Sequence, residues 1–540
     1  MTVFDYSIVI GFLFVMAMTG LMISRLIKTS DDFFVAGREL TTFVLCATIT
    51  ATNLSMFAFI GIGGTVYQSG VSIIWQNWTG AMALVLAGIL VVPLMRRLSI
   101  RSIPEFLEMR YTRGLRTLVG AFWGIRLCVF LGILLYIAST AAIIITGCAD
   151  TMTNYVRWLA AFSVVSILYS AVGGAWAVAI MDSVQFVVML AGALIVLPIV
   201  MHAAGGMSEI IQNLRATGRA NHLVLVPSTG EFNWLFIIAI LLLGFKWATI
   251  DQAILQRAFG AKSPRISAKG MVLSGIITVP IAFFWVLPGL AASRLHPGLH
   301  RADDAIPYLL ATQIPPVGRG LLGIVLCGLI AAQISAITAD VNSVATLFTS
   351  DVYRSLLRKA PSQRQLLIVV RISSVVCGTL MLLVACFLRK TGASAVEANL
   401  AVVGILDMPL FVVTVLYGLL WKRANWQGAT AGFLIGGLCG ILTYHWIGPH
   451  STEVRSIVPF VSAGAALIIT PVVSLLTGKG PRQRMWDTLE ANAEEEEAFH
   501  IIPRTFTGRL ALAIVIAGVS IFCGGIVSAH WNSAESSWLA

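Results

Sequence analysis

Runs of about twenty apolar residues recur along the whole chain, and they limit its fold more than any other feature. A helix needs about 20 mostly apolar residues to cross a bilayer. Only 11% of the residues are charged, against about 25% in soluble domains, so a soluble fold would lack polar surface. We therefore predict an all-α polytopic membrane protein. Windows of spanning length predict about 14 transmembrane helices, at residues 5–26, 41–67, 75–95, 118–146, 157–175, 181–202, 233–255, 270–293, 320–350, 366–388, 396–421, 428–446, 457–476 and 509–531.

The distribution of lysine and arginine supports this number of spans. Of the 36 basic residues, 25 fall in alternate loops on one side of the predicted membrane and nine on the other, while Arg126 and Lys246 lie inside spans. Loops that carry an excess of Lys and Arg face the cytoplasm. We therefore predict an integral, multi-pass plasma or inner membrane protein with both termini outside, and no nucleic-acid partner.

Several classes of membrane protein are disfavoured by what the chain lacks. It contains no G-x-x-x-x-G-K-[ST] motif, which phosphate-binding loops of nucleotide-driven transporters require. All eight histidines lie in predicted loops or at helix ends, so no span offers axial ligands to a haem. The longest segment outside the spans, 477–508, is too short for a nucleotide-binding domain.

Ionisable residues inside spans are costly, so each one indicates a functional role unless a partner explains it. For Asp182 and Asp251, helix capping or ion pairing is the alternative to a functional role. For Arg126 and Lys246, the alternatives to binding a solute are pairing with an internal acid or snorkelling to the membrane interface. The complete set of such residues is Arg126, Asp182, Lys246, Asp251, Asp340 and Asp407.

Two segments carry polar groups suited to a cation. The polar run Thr50–Ser55 and the glycine-rich stretch Gly61–Gly64 lie in the second span and favour a broken helix, whose free carbonyls can coordinate a cation. Ser335 and Thr338 lie three residues apart and share a helix face. Their hydroxyls have an alternative role, because Ser and Thr also hydrogen-bond their own i−4 carbonyls.

Motifs in a fixed order extend over most of the chain, and with them the sequence resembles the sodium/solute symporter family. Within that family it is most similar to the bacterial sodium–galactose and sodium–glucose transporters. The motifs are Phe33–Arg38, Ser102–Leu107 with Arg110, Asp182–Gln185, Asp251-Gln252, Gln256-Arg257, Ala261–Ser263, Lys269-Gly270 and Asn342–Tyr353.

The resemblance implies a LeuT-like fold with two five-helix inverted repeats, in which the first helix of each repeat is broken. Residues 41–202 would form the first repeat and residues 233–421 the second, joined by an extracellular loop at 203–232. An extra N-terminal helix and a cytoplasmic loop would occupy residues 1–40. Three peripheral helices, with the cytoplasmic loop 477–508, would occupy residues 422–540.

The resemblance also implies sodium as the coupling ion and assigns its ligands. One site would use carbonyls of Ala51, Leu54 and Ala332 and the hydroxyl of Ser335, while Ala336 stands where the family usually has a second hydroxyl. A second site, found in some members, would use Asp182, Ser335 and Thr338, with Ala339 replacing its third hydroxyl. The number of coupled sodium ions stays open, and a proton could replace sodium.

The residues implied for the solute site lack most of the groups that bind a hexose. Positions that bind galactose in the family carry Phe57, Ala58, Asn77 and Thr278 here, so a sugar or sugar-like solute would lose hydrogen bonds. Arg126 and Lys246 would suit an organic carboxylate instead, and both solute classes stay open. The remaining predicted lining residues are Asn53, Ser55, Gln76 and Trp247.

The resulting prediction is a sodium-coupled secondary active symporter that imports a small organic solute by alternating access. It would not be an enzyme, would need no organic cofactor, and would work as a monomer in membrane lipid. Two alternatives are a transporter-like membrane sensor with a separate signalling partner and a passive channel. The sensor needs a partner because no signalling domain is evident in the chain.

Overall fold

The computed structural model describes residues 1–24, 30–228, 232–357, 361–391, 402–447, 454–478 and 484–491, with isolated positions at 399, 509, 513, 515–518 and 520. The regular secondary structure in these residues is helical, and their only β contact is an isolated bridge between Leu40 and Ala261. The all-α prediction is confirmed for this part of the chain.

The first half of the chain forms α1 to α10. Their bounds are α1 Val3–Ser24, α2 Ser30–Val35, α3 Thr42–Asn53, α4 Gly63–Ser69, α5 Ile74–Leu90, α6 Val92–Arg97, α7 Ile103–Arg110, α8 Arg113–Thr146, α9 Met152–Ala203 and α10 Gly206–Ala216. A π-helical turn over Phe57–Ile62 precedes α4.

The second half forms α11 to α22. Their bounds are α11 Trp234–Ile250, α12 Gln252–Phe259, α13 Pro264–Ile281, α14 Phe283–Leu295, α15 Ala305–Gln313, α16 Leu321–Thr346, α17 Arg354–Leu356, α18 Gln363–Thr391, α19 Met408–Phe411, α20 Trp426–Ile447, α21 Val454–Thr477 and α22 Arg484–Ala491. π-Helical turns over Val403–Asp407 and Val412–Leu419 flank α19.

The described residues contain nine helices long and apolar enough to cross a membrane, or up to eleven when each of two bent pairs counts as one span. Three predicted spans are not among these. Residues 157–175 belong to the first part of α9, and 396–421 are described mainly over the short apolar segment Val403–Leu419. The predicted span 509–531 lies outside the described residues except at isolated positions.

Three sharp breaks divide otherwise continuous apolar segments. α3 and the helix that follows it from Phe57 meet at 48°, and α11 meets α12 at 41°. α9 is interrupted at Gly174, whose φ of 50° and ψ of −166° are not helical. Because a Cβ at this position would lie 2.8 Å from the ring of Phe33, glycine allows both the positive φ and the close approach. The break separates the two predicted spans 157–175 and 181–202.

α16 lies at the centre of the molecule. It packs against α9, α8, α18 and α3, and 89% of its apolar spanning stretch is buried. α1 is peripheral, since only 17% of its apolar spanning stretch is buried. A helix that is covered on all sides can present polar side chains to an internal site without exposing them to lipid, and α16 carries Ser335 and Asp340.

Arg110 fixes the end of the last helical segment before α20. Its guanidinium donates to the carbonyls of Gly418 (2.8 Å), Trp421 (2.9 Å) and Ala424 (3.0 Å). These carbonyls lie at the end of the segment Val412–Leu419 and just after it, where a helix leaves its last acceptors without donors. The side chain thereby joins α7 to a segment more than 300 residues away in sequence.

Close approach of backbones at Gly64 gives a test of the packing. A Cβ at Gly64 would lie 2.2 Å from the carbonyl oxygen of Ala302, so Gly64→Ala must displace one of the two segments. We expect a destabilisation of about 1–3 kcal/mol, measured as a lower thermal unfolding midpoint in detergent. Gly464→Ala is the control, because nothing lies within 4 Å of a Cβ there. Equal midpoints for the two variants would contradict the packing described.

Candidate functional site

The break after α3 places polar backbone in the middle of the membrane-spanning region. Helical structure stops at Leu54 and Ser55, and the N–H of Leu54 closes α3 by donating to the carbonyls of Thr50 (3.1 Å) and Ala51 (3.2 Å). Ala51 and Leu54, predicted to supply carbonyls to sodium, therefore lie at the break itself. Such irregular backbone is tolerated at membrane depth only where protein or a cavity surrounds it.

α16 presents the other predicted sodium ligands from a buried position beside α3. Ala332 and Ser335 are fully buried, and the Ser335 hydroxyl donates to Asp182 Oδ1 at 2.7 Å. This bond uses the hydroxyl proton and leaves oxygen lone pairs for a cation. The Thr338 hydroxyl donates to the carbonyls of Ile334 (2.8 Å) and Ser335 (3.1 Å), which is the alternative role considered for it.

Asp182 is the centre of a buried hydrogen-bonded network rather than a helix cap. It lies within the second part of α9 and is 1% exposed. Its Oδ2 accepts from the Thr48 hydroxyl at 2.5 Å and from Arg257 Nη2 at 3.0 Å. Arg257 Nε also donates to Thr48 Oγ1 at 2.7 Å. The capping interpretation of Asp182 is therefore replaced by that of a buried ion pair.

Thr48 and Arg257 were not among the predicted site residues. Arg257 follows Asp251 on α12, the second segment of the other broken pair, so it reaches Asp182 across the interface between the two halves of the chain. The sequence signal for it was the Gln256-Arg257 pair among the family motifs. Nothing in the sequence indicated that the guanidinium would lie against Asp182.

A cavity of about 190 Å³ lies between the two broken helices and α8 and α16. Nine of the ten predicted solute-binding residues line it, and so does Ala336. Thr278 is not among the lining residues; it is buried in α13, which packs against α5. The nine lining residues are Asn53, Ser55, Phe57, Ala58, Gln76, Asn77, Arg126, Lys246 and Trp247.

The two basic residues of the cavity are already paired with an internal acid. Lys246 Nζ lies 2.5 Å and Arg126 Nη2 lies 3.1 Å from the same oxygen, Oδ2 of Asp407. All three side chains are at most 5% exposed. The guanidinium of Arg126 also lies 5.5 Å from the ring centre of Phe130. Internal pairing, one of the interpretations of Arg126 and Lys246, is what the structure shows.

Two further acids line the cavity, Asp251 and Asp340. Asp251 caps α12, because its Oδ1 accepts from the N–H groups of Ala253 (3.1 Å) and Ile254 (3.4 Å). Asp340 lies four residues after Ala336, on the same face of α16. Sequence reasoning identified Asp340 as an intramembrane acid and did not assign it to the solute site, since its position on the cavity face depends on the rotation of α16.

Comparison with known proteins was made by sequence and by structure. A family model described as "Sodium:solute symporter family" matches residues 33–436. A sodium/glucose cotransporter of Vibrio parahaemolyticus is 29% identical over 433 residues, which cover 75% of this chain and 78% of that protein. Sodium/glucose cotransporter 1 of Sus scrofa is 27% identical over 570 residues, which cover 91% of this chain and 83% of that protein.

Two solved structures share the fold. The substrate-bound, outward-open state of a Na⁺-coupled sialic acid symporter has a TM-score of 0.78 at 21% identity, and covers 89% of this chain and 99% of that one. The nucleobase-cation-symport-1 family transporter Mhp1, in a closed conformation with bromovinylhydantoin bound, has a TM-score of 0.52 at 15% identity. The match covers 85% of this chain and 98% of that one. The LeuT-like fold with two inverted repeats is confirmed. The chain belongs to the sodium:solute symporter family and is a sodium-coupled symporter of small solutes.

Proposed function

We propose that an inward sodium gradient drives uptake of a small, polar, non-anionic solute through the cavity by alternating access. The observation that carries the proposal is the break after α3. Ala51 and Leu54, which offer carbonyls to sodium, lie on the same interrupted segment as Asn53 and Ser55, which line the cavity. An ion that orders this break also orders one wall of the solute site, and this shared segment couples the two binding events.

One sodium ion is proposed to bind, to the carbonyls of Ala51, Leu54 and Ala332 and the hydroxyl of Ser335. Ala336 has no side-chain oxygen to add. A second ion would need the negative charge of Asp182, which the guanidinium of Arg257 already compensates at 3.0 Å.

The contacts of Asp407 argue against an organic carboxylate as the solute. A carboxylate would need Arg126 or Lys246 as its partner, and both already contact Asp407 Oδ2. A sugar-like or other hydrogen-bonding solute does not compete for these cations. Phe57 and Ala58 make the adjoining wall apolar, so we expect weak discrimination between hydroxyl patterns there.

We propose that residues 41–202 and 233–421 form the two inverted repeats, with the Lys- and Arg-rich loops in the cytoplasm and both termini outside. We also propose a monomer in membrane lipid as the working unit. The transport cycle requires no covalent chemistry.

Ser335→Ala is expected to weaken sodium binding without unfolding the protein. The substitution removes the one hydroxyl ligand and also a donor to Asp182. Half-saturating sodium for uptake into proteoliposomes should rise roughly tenfold, about 1.4 kcal/mol. Ser374→Ala is a matched control, since this buried hydroxyl on α18 bonds only to the carbonyl of Val370. The sodium assignment fails if the two variants have the same half-saturating concentration.

Asp182→Asn tests the proposed stoichiometry. The variant leaves Arg257 buried without its counter-charge, so we expect a loss of stability of about 3–5 kcal/mol. Asp182→Asn combined with Arg257→Gln removes both charges and should regain most of that loss in thermal unfolding. The Hill coefficient for sodium should be about 1 in wild type and in any active variant. A wild-type coefficient near 2 that falls in Asp182→Asn would instead assign a second sodium ion to this carboxylate.

Arg126→Gln separates the two solute classes. Asp407 keeps Lys246 as a partner, so the variant should fold, and affinity for a non-anionic solute should fall by at most about 0.5–1.5 kcal/mol. Sodium-dependent uptake of matched sugars and carboxylates would be compared between wild type and variant. Selective loss of carboxylate uptake would restore the carboxylate alternative.

A further inference from the structure

We propose that the transported solute carries a cationic amino group, which binds between Asp251 and Asp340 in the cavity. This inference rests on the proposed function, because it takes the cavity to be the solute site. It narrows the solute from a polar, non-anionic molecule to an amine.

The charges around the cavity are unequal. Two bases and two acids line it, and both bases contact one oxygen of a third acid, Asp407. When all five are ionised, they carry one more negative charge than positive. An uncompensated charge in a buried site is expensive, so the ionised set favours a ligand that brings one positive charge. The five residues are Arg126, Lys246, Asp251, Asp340 and Asp407.

Asp340 is the acid without a partner. Its side chain is on the cavity face of α16 and is 6% exposed. Among the described residues it makes no ion pair and no hydrogen bond. Arg126 and Arg257, two basic side chains that act on it electrostatically, already contact Asp407 at 3.1 Å and Asp182 at 3.0 Å. A buried carboxylate of this kind is expected to bind a cation from the ligand.

Asp251 offers a second carboxylate oxygen to the same space. Its Oδ1 accepts both capping bonds of α12, and Oδ2 takes part in neither. The cap fixes the side chain in position, so the free oxygen is held beside the cavity. Two carboxylates from different helices, α12 and α16, thereby face one ligand.

The wall formed by α5 also contains two unpaired acceptor oxygens. Gln76 Oε1 and Asn77 Oδ1 are buried acceptor oxygens without a hydrogen-bond partner, and both residues line the cavity. An ammonium group has three N–H donors, which suit acceptors of this kind. The rings of Phe57, Phe130 and Trp247 complete the lining, and aromatic faces attract cations.

A metal ion fits these residues less well than an ammonium group. Within the described residues no group of three or more His, Cys, Asp or Glu side chains is arranged to hold a metal ion. The carboxylates are joined by amide oxygens and aromatic rings, a lining typical of sites for organic ligands. The lining therefore favours a charged group on the solute over a metal ion that is held by three or more such side chains.

The experiment compares ligands that differ only in the amino group. Thermal stabilisation and binding affinity of the purified full-length protein would be measured with glucosamine, N-acetylglucosamine and glucose, and with ethanolamine and ethylene glycol. Each titration would be run in sodium and in potassium buffer. We expect sodium-dependent binding of the amines, about tenfold or more tighter than that of their uncharged counterparts.

Asp340→Asn should abolish this preference, because it keeps the size of the side chain and removes its charge. Asp150→Asn is the matched control, since Asp150 is exposed outside this cavity and contacts Arg389. The proposal is overturned if uncharged probes bind wild type as well as the amines do, or if no amine probe binds. It is also overturned if Asp340→Asn lowers the Hill coefficient for sodium and leaves the amine preference intact.

Uptake into proteoliposomes distinguishes failure of this inference from failure of the proposed function. Sodium-driven uptake of glucose that is unaffected by Asp340→Asn would preserve the symport function and refute the amine site. Binding of amines without any sodium-driven uptake would preserve the amine site and refute the proposed function.

Discussion

The cost of burying a charge governs this structure, and most of the buried charges described here are paired inside the chain. Burying an unpaired ion in a low-dielectric interior costs several kcal/mol. The ion pairs here join residues from distant parts of the sequence. Asp182 on α9 pairs with Arg257 on α12, and Asp407 holds both Arg126 and Lys246. These contacts connect helices from both halves of the chain, so the ion pairs also set how the halves meet.

The broken helices bring these charged residues close to the proposed binding sites for sodium and the solute. In a continuous helix the backbone N–H and C=O groups hydrogen-bond to one another. Only side chains would then be available to a cation. Because α3 stops at Asn53 and α11 stops at Ile250, backbone groups and cavity-lining side chains share the same short segments. Asp251 contributes to both features, because one of its carboxylate oxygens caps α12 and the other faces the cavity.

Much of the fold was predictable because membrane insertion imposes simple patterns. Apolar length identified most spans, and the polar run Thr50–Ser55 marked the break that the structure shows as a 48° bend. Gly174 likewise separated two predicted spans, although the structure carries the helix on past it after a single non-helical residue. The predicted lining residues came from family motifs, and all but Thr278 line the cavity.

The sequence by itself determined that the chain is a helical membrane protein, that its second predicted span breaks near Ser55 and which residues within the spans are ionisable, because length, hydropathy and residue type are local properties. Only the tertiary structure decided which charges meet. Asp407 could have faced either basic residue or neither, and it contacts both. Asp340 could have faced a neighbouring helix, and it faces the cavity. Helix rotation and packing across more than a hundred residues of sequence set these contacts, and no local pattern encodes them.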